Sequence, residues 1–176
     1  DPNYEGDGLK IQEVIKRGPF AVKKNEVTAG CIIEKIDGEA IKADKDYNAL
    51  LDGKAGKNVR LTIKNTKGKT FDLTIKAISQ GDQQELLYKR WVDRNRAIVD
   101  SVSKGRIAYV HVKAMNSESF RTVYSELLSD KNRNKDAVIV DERHNGGGWL
   151  HDDLCTLLSG KQYQEFVPHG KVVGKD

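Results

Sequence analysis

Residues 137–149, AVIVDERHNGGGW, decide the reading of this chain. The run DAVIVDE (136–142) is almost continuously apolar, the pattern of a strand buried on both faces of a parallel sheet. It delivers the backbone into three consecutive glycines, Gly146, Gly147 and Gly148. LHDDLCTLLSG (150–160) then reads as a helix that starts at once and ends at Gly160. Glycine lets a backbone approach a ligand closely and adopt φ values closed to other residues. A helix start adds unpaired N–H groups and a partial positive charge. Such a corner stabilises an anion, either a phosphate or the oxyanion of an acyl-transfer intermediate. A dinucleotide fingerprint G-x-G-x-x-G is not met, because its last position is His151. The corner also lacks the Gly-Lys-Ser/Thr of a phosphate loop. A glycine-rich turn without any ligand stays open on these residues alone.

Working outward, RIAYVHV (106–112) is a second strand, and SESFRTVYSELL (117–128) is a helix capped by Asn116 or Ser117. The order strand, helix, strand, helix argues for a parallel crossover. KVVGKD at 171–176 stands where a further strand could begin, so the sheet reads as unfinished. Upstream, residues 85–103 place Leu86, Leu87, Trp91, Ile98 and Val102 near helical spacing, with Gly105 as the stop.

The first 79 residues are short strands with turn punctuation. LKIQEVIK (9–16) alternates loosely and is ended by Gly18-Pro19. CIIEKI and EAI flank Asp37-Gly38, a tight-turn pair. Residues 46–51 read as helical, with Tyr47, Leu50 and Leu51 on one face. VRLTIK (59–64) and TFDLTIKAI (70–78) flank a glycine-bearing turn, a hairpin pattern. The fold class is therefore α+β: a β-rich domain over 1–79, a connector helix over 80–104, and a partial βαβα subdomain over 105–176.

Composition is that of a globular chain, with 38% hydrophobic and 32% charged residues. No apolar run of about 18 residues is present, so no membrane partner is expected. The opening DPNYEGDG lacks the basic and apolar regions of a signal peptide. The net charge of +4 is spread through mixed stretches such as KKNEV and DKNRNKD, the pattern of a solvated surface, and no nucleic-acid partner is expected. Cys31 and Cys155 lie far apart in apolar segments and read as small hydrophobes.

Three motifs in order carry a resemblance to the tricorn proteases and their relatives, the C-terminal processing peptidases. IVDERHNGGGWLHDDL resembles their strand, D-x-R-x-N-G-G-G and helix element. Trp91, Val92, Asn95 and Arg96 resemble a W-V-x-x-N-R pattern in the connector. Gly30, Ile33, Ile36, Asp37, Gly38 and Ile41 resemble the PDZ pattern G-x-x-I-x-x-I-D-G-x-x-I. The resemblance implies a serine-type peptidase acting through an acyl-enzyme, with peptide substrates and no cofactor. It also implies a homo-oligomer in the cytoplasm, or in the periplasm if a leader precedes this sequence.

By the same resemblance one backbone N–H of the glycine run helps to form an oxyanion hole, with Gly148 the first candidate and Gly147 the second. Asn145 is expected to hold the turn and Arg143 to form ion pairs. The nucleophilic serine and the histidine base are expected outside residues 1–176, as is most of the PDZ groove strand. No G-x-S-x-G is present. Ser101, Ser103 and Lys104 end a surface helix and read as solvated. His111 reads as a satisfied strand histidine, and His144 either lines the cleft or is structural. His151, Asp152 and Asp153 are consecutive on a helix, so their side chains diverge and no metal site is expected. The acid that sets P1 preference would fall within 164–167, where Glu165 is the one acidic residue. A peptide-binding PDZ scaffold without catalysis is the alternative reading, and a nucleotide-binding βαβα half is a third.

Overall fold

A computed structural model describes residues 1–21, 26–161 and 165–175. The chain divides into two compact units, residues 1–91 and 92–176.

The first unit is built on an antiparallel sheet. β1 (Leu9–Lys10) pairs with β2 (Ile32–Ile36), which pairs with β4 (Asn58–Lys64), which pairs with β5 (Thr70–Lys76); β3 (Glu39–Ala40) joins β2. β4 alternates buried and exposed residues because only one of its faces meets the core. Its buried residues Val59, Leu61 and Ile63 pack with Val27, Cys31, Ile36, Ile41 and Leu73. Each such side chain contributes about 1.5–3 kcal/mol on burial. Asp37 (φ 49°) and Gly38 (φ 92°) are both left-handed, the turn that matches strand twist between β2 and β3. Asp37 also accepts the Arg60 N–H at 2.9 Å and pairs with Lys54, which ties this turn to β4. At the β4–β5 turn, Asn65 Oδ1 accepts the N–H groups of Lys67 and Lys69, each at 3.0 Å.

Two expectations are corrected here. Only residues 9–10 of the 9–16 stretch form a strand. Ile11 still exchanges hydrogen bonds with Cys31 and Gly30, but the loose alternation beyond it gives the sheet no consistent apolar face and the chain turns away. The helix expected at 46–51 is a single 3₁₀ turn, Tyr47–Leu50, opened by the Asp46 side chain. Such a short segment cannot recover the cost of α-helix nucleation.

α1 (Gln80–Val102) begins five residues before the periodic stretch at 85–103. Ser79 and Asp82 cap each other's amides, with Asp82 N–H to Ser79 Oγ at 3.1 Å and Ser79 N–H to Asp82 Oδ2 at 3.1 Å. That exchange satisfies first-turn donors and outweighs the propensity cost of Gly81. The helix closes with Gly105 N–H reaching back to the Asp100 carbonyl at 2.7 Å.

In the second unit β6 (Ile107–His111) and β7 (Ala137–Asp141) run parallel, in register from Ile107 opposite Ala137 to His111 opposite Asp141. α2 (Ser117–Leu127) connects them, and Asn116 is its cap, accepting the Ser119 N–H at 2.9 Å. α3 (His151–Ser159) follows and ends at left-handed Gly160. Val110, Val112, Val123, Leu150 and Leu154 form the core. β8 (Glu165–Phe166) and β9 (Gly174–Lys175) make a small antiparallel pair, not the further sheet strand expected from 171–176. β7 also departs from expectation, since Val138 is 36% and Ile139 43% exposed. Among the described residues it has one strand neighbour, β6.

Candidate active site

The chain leaves β7 at Asp141 and enters the glycine corner at the carboxyl end of the parallel pair, the end where open α/β sheets hold ligands. β6 and its continuation fasten this segment position by position. The buried Tyr109 hydroxyl donates to Asp141 Oδ2 at 2.6 Å. The His111 ring donates through Nε2 to the Arg143 carbonyl at 2.8 Å, because a carbonyl can only accept. Asn145 Nδ2 donates to the Val112 carbonyl at 2.9 Å. Met115 forms an isolated parallel bridge with Gly148.

Asp141 is the electrostatic centre of this arrangement and is 7% exposed. Arg143 lies across it, with Nε 3.0 Å from both carboxylate oxygens and Nη2 2.5 Å from Oδ2. These charge-assisted bonds hold the Asp141 carboxyl far below its ordinary range against the opposing effect of burial, and the Tyr109 hydroxyl lowers it further. Burial first, and then the bond to Asp141, push the Tyr109 phenol upward. Asp141 and Tyr109 escaped the sequence reading as site residues. The D-x-R spacing, which sets the carboxylate beside its own turn's guanidinium, was the available signal. A cleft of about 370 Å³ opens beside them, lined by Asn95, Ile98, Tyr109, Ile139, Asp141 and Arg143.

The three glycines differ. Gly146 has open space where a side chain would begin and a φ outside the left-handed range. Gly147 is left-handed at φ 90°, and its N–H donates to Asn145 Oδ1 at 2.8 Å. Gly148 has φ 140°, and a side-chain carbon there would lie 2.6 Å from Met115 Cβ and 2.7 Å from the Met115 carbonyl oxygen. Its own surface remains exposed. Of the two oxyanion candidates, Gly147 thus has its donor occupied inside the turn, which leaves Gly148 as the candidate. Leu150, buried at 6%, anchors the chain immediately before α3.

The remaining sequence candidates fall elsewhere. Ser103 Oγ accepts the Ile107 N–H at 3.1 Å, a link between α1 and β6. His144 sits within the loop at φ 66°. His151 Nε2 lies 3.0 Å from Asp152 Oδ1, so these two neighbours meet where divergence was expected; among the described residues no group of three or more His, Cys, Asp or Glu could hold a metal ion. His169 lies between Pro168 and Gly170 with a left-handed backbone, φ 51°. Glu165 opens β8, while position 164 lies outside the described residues. No helix among the described residues is long and apolar enough to cross a membrane.

Comparison with known proteins fits this geometry. Residues 4–80 match the tricorn protease PDZ domain, and residues 106–174 match peptidase family S41. The chain belongs to the tricorn group of that family. A tricorn-like protease C-terminal subunit of Sulfurisphaera tokodaii is 34% identical over 147 residues, 84% of this chain and 16% of that protein. Tricorn protease of Thermoplasma acidophilum is 32% identical over 133 residues, 76% of this chain and 12% of that protein. A tricorn protease homolog of Saccharolobus solfataricus is 31% identical over 171 residues, 97% of this chain and 15% of that protein. The crystal structure of the tricorn protease superposes with a TM-score of 0.68 at 25% identity, covering 96% of this chain and 16% of that one. The tricorn-group chain thus spans between 12% and 16% of the length of these relatives.

Proposed function

We propose that this chain supplies the PDZ module and half of the oxyanion hole of a serine-type peptidase that hydrolyses peptides through an acyl-enzyme. The Gly148 N–H is the donor contributed from residues 1–176; the serine nucleophile and histidine base belong to other parts of the full-length polypeptide. One observation carries this reading. Gly148 is held on the Met115 bridge, at the carboxyl end of the parallel strands, in a conformation where the Met115 backbone leaves no room for a side chain. A donor fixed in this way needs no reorganisation when charge develops on a carbonyl oxygen, and that is how such groups stabilise a transition state. Asn145 and Arg143 position the loop and touch no substrate.

The domain division at 1–79, 80–104 and 105–176 belongs to this proposal, as do a cytoplasmic location and a homo-oligomeric assembly. The test is twofold. The 176-residue chain alone turns over no peptide, whereas the full-length polypeptide does, and Gly148→Ala in the latter, which keeps the N–H but forces it out of position, lowers kcat towards the roughly 10²–10³-fold loss of one oxyanion donor while Gly146→Ala leaves it unchanged. Turnover by the isolated chain that survives removal of contaminating proteases refutes the division of labour. The alternative, a peptide-binding scaffold, draws on the separate core of the first unit and its PDZ match. Submicromolar binding of C-terminal peptides to a full-length protein with no peptidase activity would favour it.

A further inference from the structure

The glycine corner leaves one large side chain almost wholly in solvent. Trp149 is 91% exposed, more than any other large apolar residue among those described. Its backbone is nonetheless pinned on both sides. Gly148 before it is bridged to Met115, and Leu150 after it is sunk in the core with Leu154. The indole is therefore offered from a fixed point, where a floppy loop tip would be the ordinary place for an exposed residue. It also stands beyond the carboxyl ends of β6 and β7, one peptide unit from Gly148, with adjacent Cα atoms about 3.8 Å apart.

We propose that Trp149 is a specificity-determining residue, which receives an aromatic or large aliphatic side chain of the peptide next to the scissile bond. The inference rests on the peptidase reading above. A carbonyl oxygen held by the Gly148 N–H brings the flanking substrate side chain within reach of the residue that follows Gly148. An indole there supplies a broad apolar face for an aliphatic chain or a ring, and an N–H for a nearby peptide carbonyl. Charged and very small side chains gain little from such a surface. The substrate class is thus peptides with a bulky apolar residue at the cleavage point, rather than peptides chosen by charge.

The experiment compares wild type, Trp149→Phe and Trp149→Ala in the full-length polypeptide. Two peptides are used, identical except for Phe or Gly beside the cleaved bond. Wild type should favour the Phe peptide in kcat/KM on the order of tenfold, the scale of one aromatic pair. Trp149→Phe should keep most of that preference. Trp149→Ala should bring the ratio close to one, chiefly through KM for the Phe peptide. A ratio unchanged by Trp149→Ala overturns the proposal. So does an equal loss on both peptides, which would mean that Trp149 packs inside the assembled enzyme. Titrating the uncleaved peptides against tryptophan fluorescence, as the difference between wild type and Trp149→Phe, separates this idea from the peptidase reading. Binding of the Phe peptide without any turnover upholds the Trp149 surface and refutes catalysis. Neither binding nor turnover refutes both.

Discussion

Alanine at each of the three glycines should have a different effect, graded along the loop. At Gly146 a methyl group meets nothing within 4 Å, and φ lies outside the left-handed range. Alanine there should be neutral or stabilise by up to about 1 kcal/mol, because it restricts the unfolded chain. At Gly147 the space is equally open but φ is 90°, so the cost is that of a left-handed L-residue, roughly 1–2 kcal/mol. At Gly148 two effects add. A φ of 140° belongs to a region used almost only by glycine, costing roughly 1–3 kcal/mol. The methyl group would also have to displace Met115 from 2.6 Å, an overpacking cost of roughly 1–3 kcal/mol more. The total is about 2–6 kcal/mol. Native-state hydrogen exchange at the fully buried Val110, Val112 and Val123 reads this directly in the second unit, without assuming that the whole chain unfolds in one step. Equal destabilisation at 146 and 148, or a loss below about 1 kcal/mol at 148, would refute the backbone argument. The oxyanion assignment would then lose its structural basis.

Asn145→Ala removes both the donor to Val112 and the acceptor for Gly147, and should destabilise the second unit by roughly 1–3 kcal/mol in the same exchange measurement. Asn145→Asp keeps the acceptor but turns a carboxylate oxygen towards the Val112 carbonyl, so it should be no better than alanine at pH 7. Asp141 sets an acid limit on stability. Its carboxyl is held low in the folded state, so its contribution is complete well above the unfolded carboxylate pKa of about 3.9 and drains away as pH falls from about 5 towards the lowered folded value. Urea midpoints measured from pH 7 to pH 3 should fall more steeply for wild type than for Asp141→Asn; parallel curves would refute this account.

Much of this architecture was legible because local chemistry and burial agree there. Asp37-Gly38 needs two left-handed residues and has them; Asn65 closes its turn with its own side chain; Asn116 caps α2 as its type predicts. The misreadings share a cause. Leu9 to Ile15 looked like one strand, but pairing after Ile11 depends on where Cys31 and Gly30 end, which lies 20 residues away. Val138 and Ile139 looked buried from composition, yet burial is decided by neighbours that apolar character cannot name. In the site, three glycines before a helix were visible, but the differences among them were not. Those differences arise from Met115 and Val112, on another segment of the chain. Likewise the links from Tyr109 to Asp141 and from His111 to Arg143 span 32 residues and depend on strand register.

The contact between position 148 and Met115 has a consequence for genetics. Of the three nearest atoms facing a side chain at 148, two are the Met115 carbonyl oxygen and carbon, and the third is its Cβ. Every residue but glycine carries those same atoms at 115, so trimming or swapping the methionine relieves nothing. A screen for second-site suppressors of Gly148→Ala should therefore return no revertants at 115 other than glycine, and true reversion to glycine at 148 should dominate. The identity of residue 148 is thus set by the path of a neighbouring backbone, which no side-chain exchange at 115 removes.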